Sequence, residues 1–269
     1  MFRADLHCHT MCSDGILTPE GIISKAKEIG LCGLSITDHD SIDAYQTAPL
    51  AAKEKQILLG SGVEFSCAYE DLTIHILAYD FDVKNPSLIA FCEKHRQRRK
   101  DRNHIILEKL KQHKIVLDED ELNQMGNMIG RPHIAKLLVK KGFVGSVREA
   151  FQHYIGDHKS CFYRGPGFSI EETLSLIHEA GGKAFIAHPH LLRSSSTVRN
   201  LLKMPFDGIE CYYARIPADQ ERKWIKMAKD RNLLVSGGSD YHGEINDHNA
   251  LGNSWVDEEN FHKIFQHLL

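Results

Sequence analysis

Two histidines separated by one residue stand near the start of the chain, in Asp5-Leu6-His7-Cys8-His9, a run that reads as a short strand. Alternate side chains of a strand point to the same face, so Asp5, His7 and His9 share one side, and imidazoles at that spacing can grip one metal ion. Donors of the same kind recur at other predicted strand ends: Asp38-His39-Asp40, Glu64, His75, Ala187-His188-Pro189 and Ser239-Asp240-Tyr241-His242. With Asp14, the candidate ligands are six histidines (His7, His9, His39, His75, His188, His242) and three carboxylates (Asp14, Glu64, Asp240). Mixed imidazole and carboxylate sets suit manganese, iron or zinc. The set is too large for one ion. At about four protein ligands per ion, with a carboxylate such as Glu64 shared, two or three divalent ions are implied, and a cluster of that kind both activates water and holds a phosphate. Each part alone has a plainer reading: Asp38 to Asp40 as a capped turn, His188-Pro189 as a strand exit, Glu64 and His75 as structural residues. Their joint appearance at successive strand ends is what points to a multi-metal hydrolytic site at one end of an α/β barrel.

The elements that must position these donors alternate between strand and helix. After the first strand, Ser13-Asp14-Gly15 forms a loop, and Thr18-Pro19-Glu20 opens a helix as cap, first-turn proline and first-turn acid. Cys32 to Ile36 is a second strand, followed by a helical run from Asp43 to Lys55 that Pro49 interrupts. Ile57 to Glu64 reads as a third strand and Thr73 to Tyr79 as a fourth, the pattern of a mainly parallel sheet or barrel. The rhythm then breaks. Four helical stretches follow, starting near Pro86, Asp118, Pro132 and Ser146, before the strand and helix series resumes at Ser169. We therefore expect a barrel from residues 1–84 and 164–269, with a helical, substrate-binding insert at 85–163.

Bulk properties narrow the class. With 42% apolar and 26% charged residues the chain is an ordinary globular protein, and a net charge of −3 gives no general affinity for polyanions. Seven scattered cysteines without a C-x-x-C pair fit reduced thiols. The sequence shows no signal-like or membrane-spanning run, so the expected location is the cytoplasm, with no membrane association.

The ordered motifs D-L-H-C-H-T (Asp5 to Thr10), S-D-G (Ser13 to Gly15), T-D-H-D (Thr37 to Asp40), G-V-E-F-S (Gly62 to Ser66), A-H-P (Ala187 to Pro189) and S-D-Y-H (Ser239 to His242) resemble the PHP (polymerase and histidinol phosphatase) family. The resemblance implies a distorted (β/α)7 TIM-like barrel with a trinuclear metal centre. It places His7, His9, Glu64 and Asp240 on one ion, Glu64, His75 and His188 on a second, and Asp14, His39 and His242 on a third. Some members carry histidine in place of Asp14, so the third site differs within the family. Manganese is the first expectation, with iron or zinc as alternatives.

Within the family, Gly130-Arg131-Pro132-His133-Ile134-Ala135 resembles the subgroup of RNase AM-type 5'-to-3' exoribonucleases and nucleoside 3',5'-bisphosphate phosphatases. Its physical logic is that of a phosphate clamp: Pro132 opens a helix whose terminal amides favour anions, and Arg131 offers a forked donor. The plainer reading is a capped helix with an exposed arginine. Between Lys94 and Lys114 stand nine Lys/Arg and two Asp/Glu. Either this is a solvated face, or Arg98, Arg99 and Arg102 hold the phosphates of a nucleotide or short RNA. Tyr212 and Tyr213 follow a predicted strand and are either base-stacking residues or ordinary rim aromatics.

The expected reaction is metal-assisted hydrolysis of a nucleotide phosphate ester, with Arg131 balancing charge on phosphate oxygens and His133 the best unligated candidate for a general acid. Substrates would be a nucleoside 3',5'-bisphosphate or 5'-phosphorylated RNA. A histidinol phosphatase or other small phosphomonoesterase is the first competitor. A metal-dependent amidohydrolase and a non-catalytic metal or nucleic-acid binding module follow.

Overall fold

In a computed structural model, residues 1–192, 194–214, 216–243 and 249–269 are described. The chain separates into two compact units, one from residues 1–90 and 168–269, the other from residues 91–167.

The first unit is α/β. Strand β1 (Ala4–Asp5) leads to helix α1 (Pro19–Glu28), where Thr18 accepts from the Gly21 amide as cap and Ile22, Ile23 and Ala26 are buried. Strand β2 (Gly33–Ser35) is followed by a 3-10 turn (Asp43–Gln46), helix α2 (Ala48–Lys55) and strand β3 (Leu58–Gly60). The interruption expected at Pro49 falls just before it, because proline is tolerated in a first helical turn. Strands β1, β2 and β3 form a parallel sheet in that order.

The strand expected from Ile57 to Glu64 is in fact two. It breaks after Gly60, and β4 (Gly62–Tyr69) belongs to a second sheet. Both glycines at the break are dictated by crowding: a Cβ on Gly60 would lie 2.2 Å from the Phe265 ring, and one on Gly62 would lie 2.2 Å from the Ser35 hydroxyl. Strand β5 (Leu72–Tyr79) then turns back on β4 as an antiparallel hairpin, Glu64 opposite Leu77 and Ser66 opposite His75. Glu64 and His75 consequently lie inside strands, not at their ends.

Helix α3 (Pro86–Gln112) leads into the second unit, which is helical: α4 (Glu119–Asn123), α5 (Arg131–Lys140) and α6 (Val147–Ala150), the last widening into a π-helical turn at Phe151–Ile155. Its own core includes Ile106, Leu110, Ile134, Leu138, Ala150 and Ile155.

The chain returns to the first unit with β6 (Phe168–Ser169), a short strand absent from the sequence reading, and helix α7 (Ile170–Glu179), capped by Ser169. Strand β7 (Lys183–Ile186), helix α8 (Ser195–Leu201), strand β8 (Gly208–Tyr213), helix α9 (Ala218–Lys229), strand β9 (Leu234–Gly238) and helix α10 (Glu258–Ile264) complete it. The second sheet runs β6-β4-β5-β7-β8-β9, and β5 is antiparallel to both neighbours, so the expected parallel order fails at this strand. The cause is local, since a short turn at Glu70, in the left-handed region at φ 52°, can return the chain only antiparallel.

Backbone hydrogen bonds join the two sheets in two places. Leu6 donates to Gly237 (3.1 Å) and Asp240 to His7 (2.7 Å) on one side, while Asp40 donates to Glu64 (2.9 Å) and Glu64 to Asp38 (3.3 Å) on the other. The core beneath is Leu6, Leu77, Tyr79, Phe185, Phe261 and Phe265 on one flank and Ile22, Ile23, Leu34, Ile36 and Leu59 on another. Among the described residues no helix is long and apolar enough to cross a membrane.

Adding one methyl group at Gly60 forces the Phe265 ring aside, so Gly60→Ala is expected to cost about 1–3 kcal/mol of stability. Urea denaturation should show a lower midpoint at unchanged slope, partly restored by adding Phe265→Leu.

Candidate metal centre

Residues 6–9 continue β1 in an extended course, Leu6 and Cys8 entering the hydrophobic core while His7 and His9 turn to the opposite side. This stretch is pinned to β9: the His9 amide donates to Tyr241 (2.8 Å), and a Cβ on Gly238 would lie 2.3 Å from the His7 nitrogen. Only glycine permits that approach. Asp5, expected on the histidine side, instead accepts backbone amides of His7 (3.2 Å), Ser239 (2.9 Å) and Gly252 (2.8 Å), and so ties β1 to the chain beyond β9.

The nine candidate ligands converge. His7 Nε2 lies 3.4 Å from Glu64 Oε2 and 3.2 Å from Asp240 Oδ1, and His9 Nε2 lies 3.3 and 3.1 Å from the same two oxygens. The other Glu64 oxygen, Oε1, is 2.9 Å from His75 Nδ1 and 3.0 Å from His188 Nε2. His242 Nε2 is 3.2 Å from Asp14 Oδ1, and His39 Nε2 is 3.9 Å from Asp14 Oδ2. His39 also places Nδ1 3.0 Å from Glu64 Oε2. Three groups therefore have donor atoms within 4.8 Å of one another: His7, His9, Glu64 and Asp240; His9, Asp14, His39 and His242; His39, Glu64 and His75. His9 and His39 each stand in two of them. The family resemblance implies a single ion for each histidine.

These donors fit divalent cations. Two ligands each about 2.1 Å from one ion, at roughly 90–110°, stand roughly 3.0–3.4 Å apart, and all four contacts of the His7 group fall in that interval. His7 Nε2, His9 Nε2 and Glu64 Oε2 are buried without a hydrogen-bond partner, an arrangement that costs free energy in a metal-free core. Charge tells the same story. Burial would raise Glu64, but the imidazoles of His39, His75 and His7 outweigh it and hold the carboxyl well below the usual range. Burial opposes a charged His7, yet Glu210, Asp240 and Glu64 outweigh it and hold the ring well above the ordinary histidine value. His242 is raised to about 10, its burial overcome by Asp14 and Asp240. His9, buried and beside His242 and His39, is pushed down to about 3. Without cations the carboxylates favour protons on His7 and His242, and bound metal would take the place of such protons.

Several residues of the sequence motifs serve as supports. Asp38 accepts from the Thr10 amide (2.7 Å), the Thr10 hydroxyl (2.6 Å) and the Ser13 hydroxyl (2.6 Å), shaping the loop that carries Asp14. Asp40, in the left-handed region at φ 56°, accepts from the Ser66 amide (2.7 Å). Tyr213 donates its hydroxyl to Asp240 Oδ2 (2.7 Å), and its ring packs 4.4 Å from that of His190. Tyr212 is half-buried beside the core and lines a cavity of about 510 Å³ with Tyr213, Ile216 and Trp255. The sequence reading missed Glu210, whose oxygens meet His7 Nδ1 (2.7 Å) and the His188 amide (2.6 Å). Its one local signal is an acid in the middle of the apolar strand Gly-Ile-Glu-Cys-Tyr.

The remaining candidates belong to the second unit. Arg99 is buried and Arg98 and Arg102 half-buried, while Lys94, Lys100, Lys111 and Lys114 are exposed. Arg102 donates to the Asn103 side-chain oxygen (3.2 Å), and Asn103 to the Ile129 carbonyl (3.0 Å). Arg131 pairs with Asp157 (2.6 Å), donates to the Ile155 carbonyl (3.3 Å) and lies over the Phe162 ring (5.2 Å). His133 is buried and accepts the Gly130 amide on Nδ1 (3.0 Å), which closes the first turn of α5.

The PHP domain model matches residues 5–268. The chain belongs to the PHP domain family. It is 35% identical over 248 residues to the 5'-3' exoribonuclease of Haemophilus influenzae, covering 89% of this chain and 90% of that one. It is 31% identical over 250 residues to the 3',5'-nucleoside bisphosphate phosphatase of Chromobacterium violaceum, covering 90% and 88%. A Bifidobacterium adolescentis structure described as a metal-dependent phosphoesterase superposes with a TM-score of 0.87 at 29% identity, over 97% of this chain and 94% of that one. As a PHP protein, the chain is a metal-dependent phosphoesterase with an α/β fold of that type.

Because His9 stands in two donor groups, His9→Ala should remove more than one ligand contact. Elemental analysis after equilibration with Mn²⁺ should show fewer bound ions per chain than wild type, and hydrolysis should fall at least 100-fold. An unchanged ion content would contradict the grouping.

Proposed function

We propose that the protein hydrolyses phosphate esters of nucleotides, acting as a 3'-phosphatase on nucleoside 3',5'-bisphosphates, as a 5'-to-3' exonuclease on short 5'-phosphorylated RNA, or as both. The observation that carries this reading is Glu64, whose two oxygens face different imidazole groups as a bridging ligand must. The ligands are His7, His9, Asp14, His39, Glu64, His75, His188, Asp240 and His242. They hold two or three ions, manganese first, with iron or zinc tolerated by the same donors. When bound, such cations supply Lewis acidity toward phosphate oxygens and make water acidic enough to lose a proton near neutral pH.

The protein's own groups do the rest. Tyr213 fixes the outer oxygen of Asp240 and leaves the inner one toward His7 and His9. Arg98, Arg99, Arg102 and Arg131 of the helical unit are its candidate phosphate-binding residues, Arg131 with a forked donor suited to balancing charge on phosphate oxygens. His133, the general-acid candidate, accepts on Nδ1, so its neutral ring carries the proton on Nε2, the form a proton donor requires. Tyr212 stacks on the base. We further read the two sheets, with the backbone hydrogen bonds that join them, as a closed, distorted (β/α)7-type barrel around the ligands. The seven cysteines are free thiols, in keeping with a cytoplasmic protein.

The relatives' names support nucleotide substrates in preference to histidinol phosphate, and a panel separates them. The chelator-treated protein should be inactive and regain activity with Mn²⁺. It should then turn over a nucleoside 3',5'-bisphosphate and a short 5'-phosphorylated RNA far faster than histidinol phosphate; preference for the last sinks the proposal. Arg131→Ala should raise KM by roughly 10- to 100-fold, the equivalent of about 1.5–3 kcal/mol for a charge-assisted hydrogen bond. Asp157→Ala, which frees the same guanidinium, should not raise KM. If both variants behave alike, Arg131 serves only its ion pair.

A further inference from the structure

Glu210 is almost fully buried in β8, yet it touches two candidate ligands, His7 and His188, that stand far apart in the chain. Its Oε1 lies 2.7 Å from His7 Nδ1, and its Oε2 accepts the backbone N–H of His188 at 2.6 Å. One ligand is held by its ring and the other by its main chain. His7 presents Nε2 to the Oε2 side of Glu64, at 3.4 Å, whereas His188 presents Nε2 to the Oε1 side, at 3.0 Å. A single carboxylate thus stands behind both flanks of the bridging ligand. His188 needs such a tether, because its backbone sits at φ 28° and ψ 61°, a region that non-glycine residues occupy only when surrounding contacts impose it.

We infer that Glu210 is a positioning residue that couples the two metal positions sharing Glu64, by fixing the His7 tautomer and the His188 backbone together. The inference rests on the ligand assignment proposed above. Its chemistry follows from counting donors. If His7 ligates through Nε2, its Nδ1 must carry the proton and donate. The His188 N–H can only donate. Two donors need two acceptors, which a carboxylate supplies and a carboxamide does not. Glu210→Gln therefore keeps size and shape but sets its NH2 either against the His188 N–H or against His7 Nδ1. In the first case the His188 turn is released. In the second, His7 shifts its proton to Nε2 and cannot ligate.

Zn²⁺ serves as a diamagnetic probe on the full-length chain. In zinc-loaded wild type, nitrogen-15 imidazole spectra should show His7 protonated at Nδ1 and metal-shifted at Nε2. Glu210→Gln, checked for folding by circular dichroism, should bind fewer zinc ions per chain by elemental analysis at a fixed free concentration. The affinity of the ions retained should fall about 10- to 100-fold. Wild-type stoichiometry and affinity in the variant overturn the inference, as does a His7 whose Nδ1 is bare or ligated in the wild type. The spectrum decides alone if the variant does not fold. A wild-type chain that binds no zinc at the histidines defeats the ligand assignment itself, an outcome distinct from a normal centre that ignores Glu210.

Discussion

A buried carboxylate with imidazoles on both of its oxygens is the constraint around which the first unit is built. Glu64 is only 1% exposed, and an isolated charge in that setting costs several kcal/mol unless its surroundings compensate. Compensation comes from five histidines that approach from four other segments: residues 7–9, His39, His75 and His188. None of these imidazoles is a full counterion at neutral pH in its ordinary state. The arrangement is balanced best by divalent cations between the donors, which ties the polar interior to metal-dependent chemistry.

Holding so many polar groups together requires supports that take no part in ligation, and several come from the motifs that supply the ligands. Asp5, Asp38 and Asp40 each turn a carboxylate onto backbone amides or hydroxyls, fixing the chain beyond β9, the Asp14 loop and β4 respectively. His188 and Asp240 both lie in the left-handed region, at φ 28° and 53°. Such conformations are retained where side-chain aim outweighs local backbone preference. The apolar layer outside, centred on Tyr79, Phe185 and Phe261, makes the sheet margins stiff enough to impose these positions.

The helical unit follows a different logic. Its apolar core is self-contained, and along α3 the buried residues His95, Arg99 and Asn103 recur every four positions on one face. A basic run whose side chains were all solvated would not bury an arginine and a histidine one turn apart. Arg131 and His133, adjacent in a motif that suggested a phosphate clamp, also serve the unit's own architecture, through the Asp157 pair and the first turn of α5.

Donor chemistry and local helix starts were legible in the residues themselves. The types and spacings of His7, His9, His39, Glu64, His188 and Asp240 pointed to a multi-metal site, and Thr18 marked a cap, because capping and strand alternation act over a few neighbouring residues. The family, too, was readable from the ordered motifs. Other features depended on pairing between distant segments. The division of Ile57 to Glu64 between two sheets turned on Phe265, and the place of β5 beside β7 on a strand far along the chain. Glu210 escapes the sequence analysis because the partner that gives it a role, His7, lies 203 positions away. Asp5, Asp38 and Asp40 had the same ligand chemistry as Asp14 and Asp240. What distinguished them was which face each turned to the centre, and strand register and pairing, which no local spacing encodes, set that face.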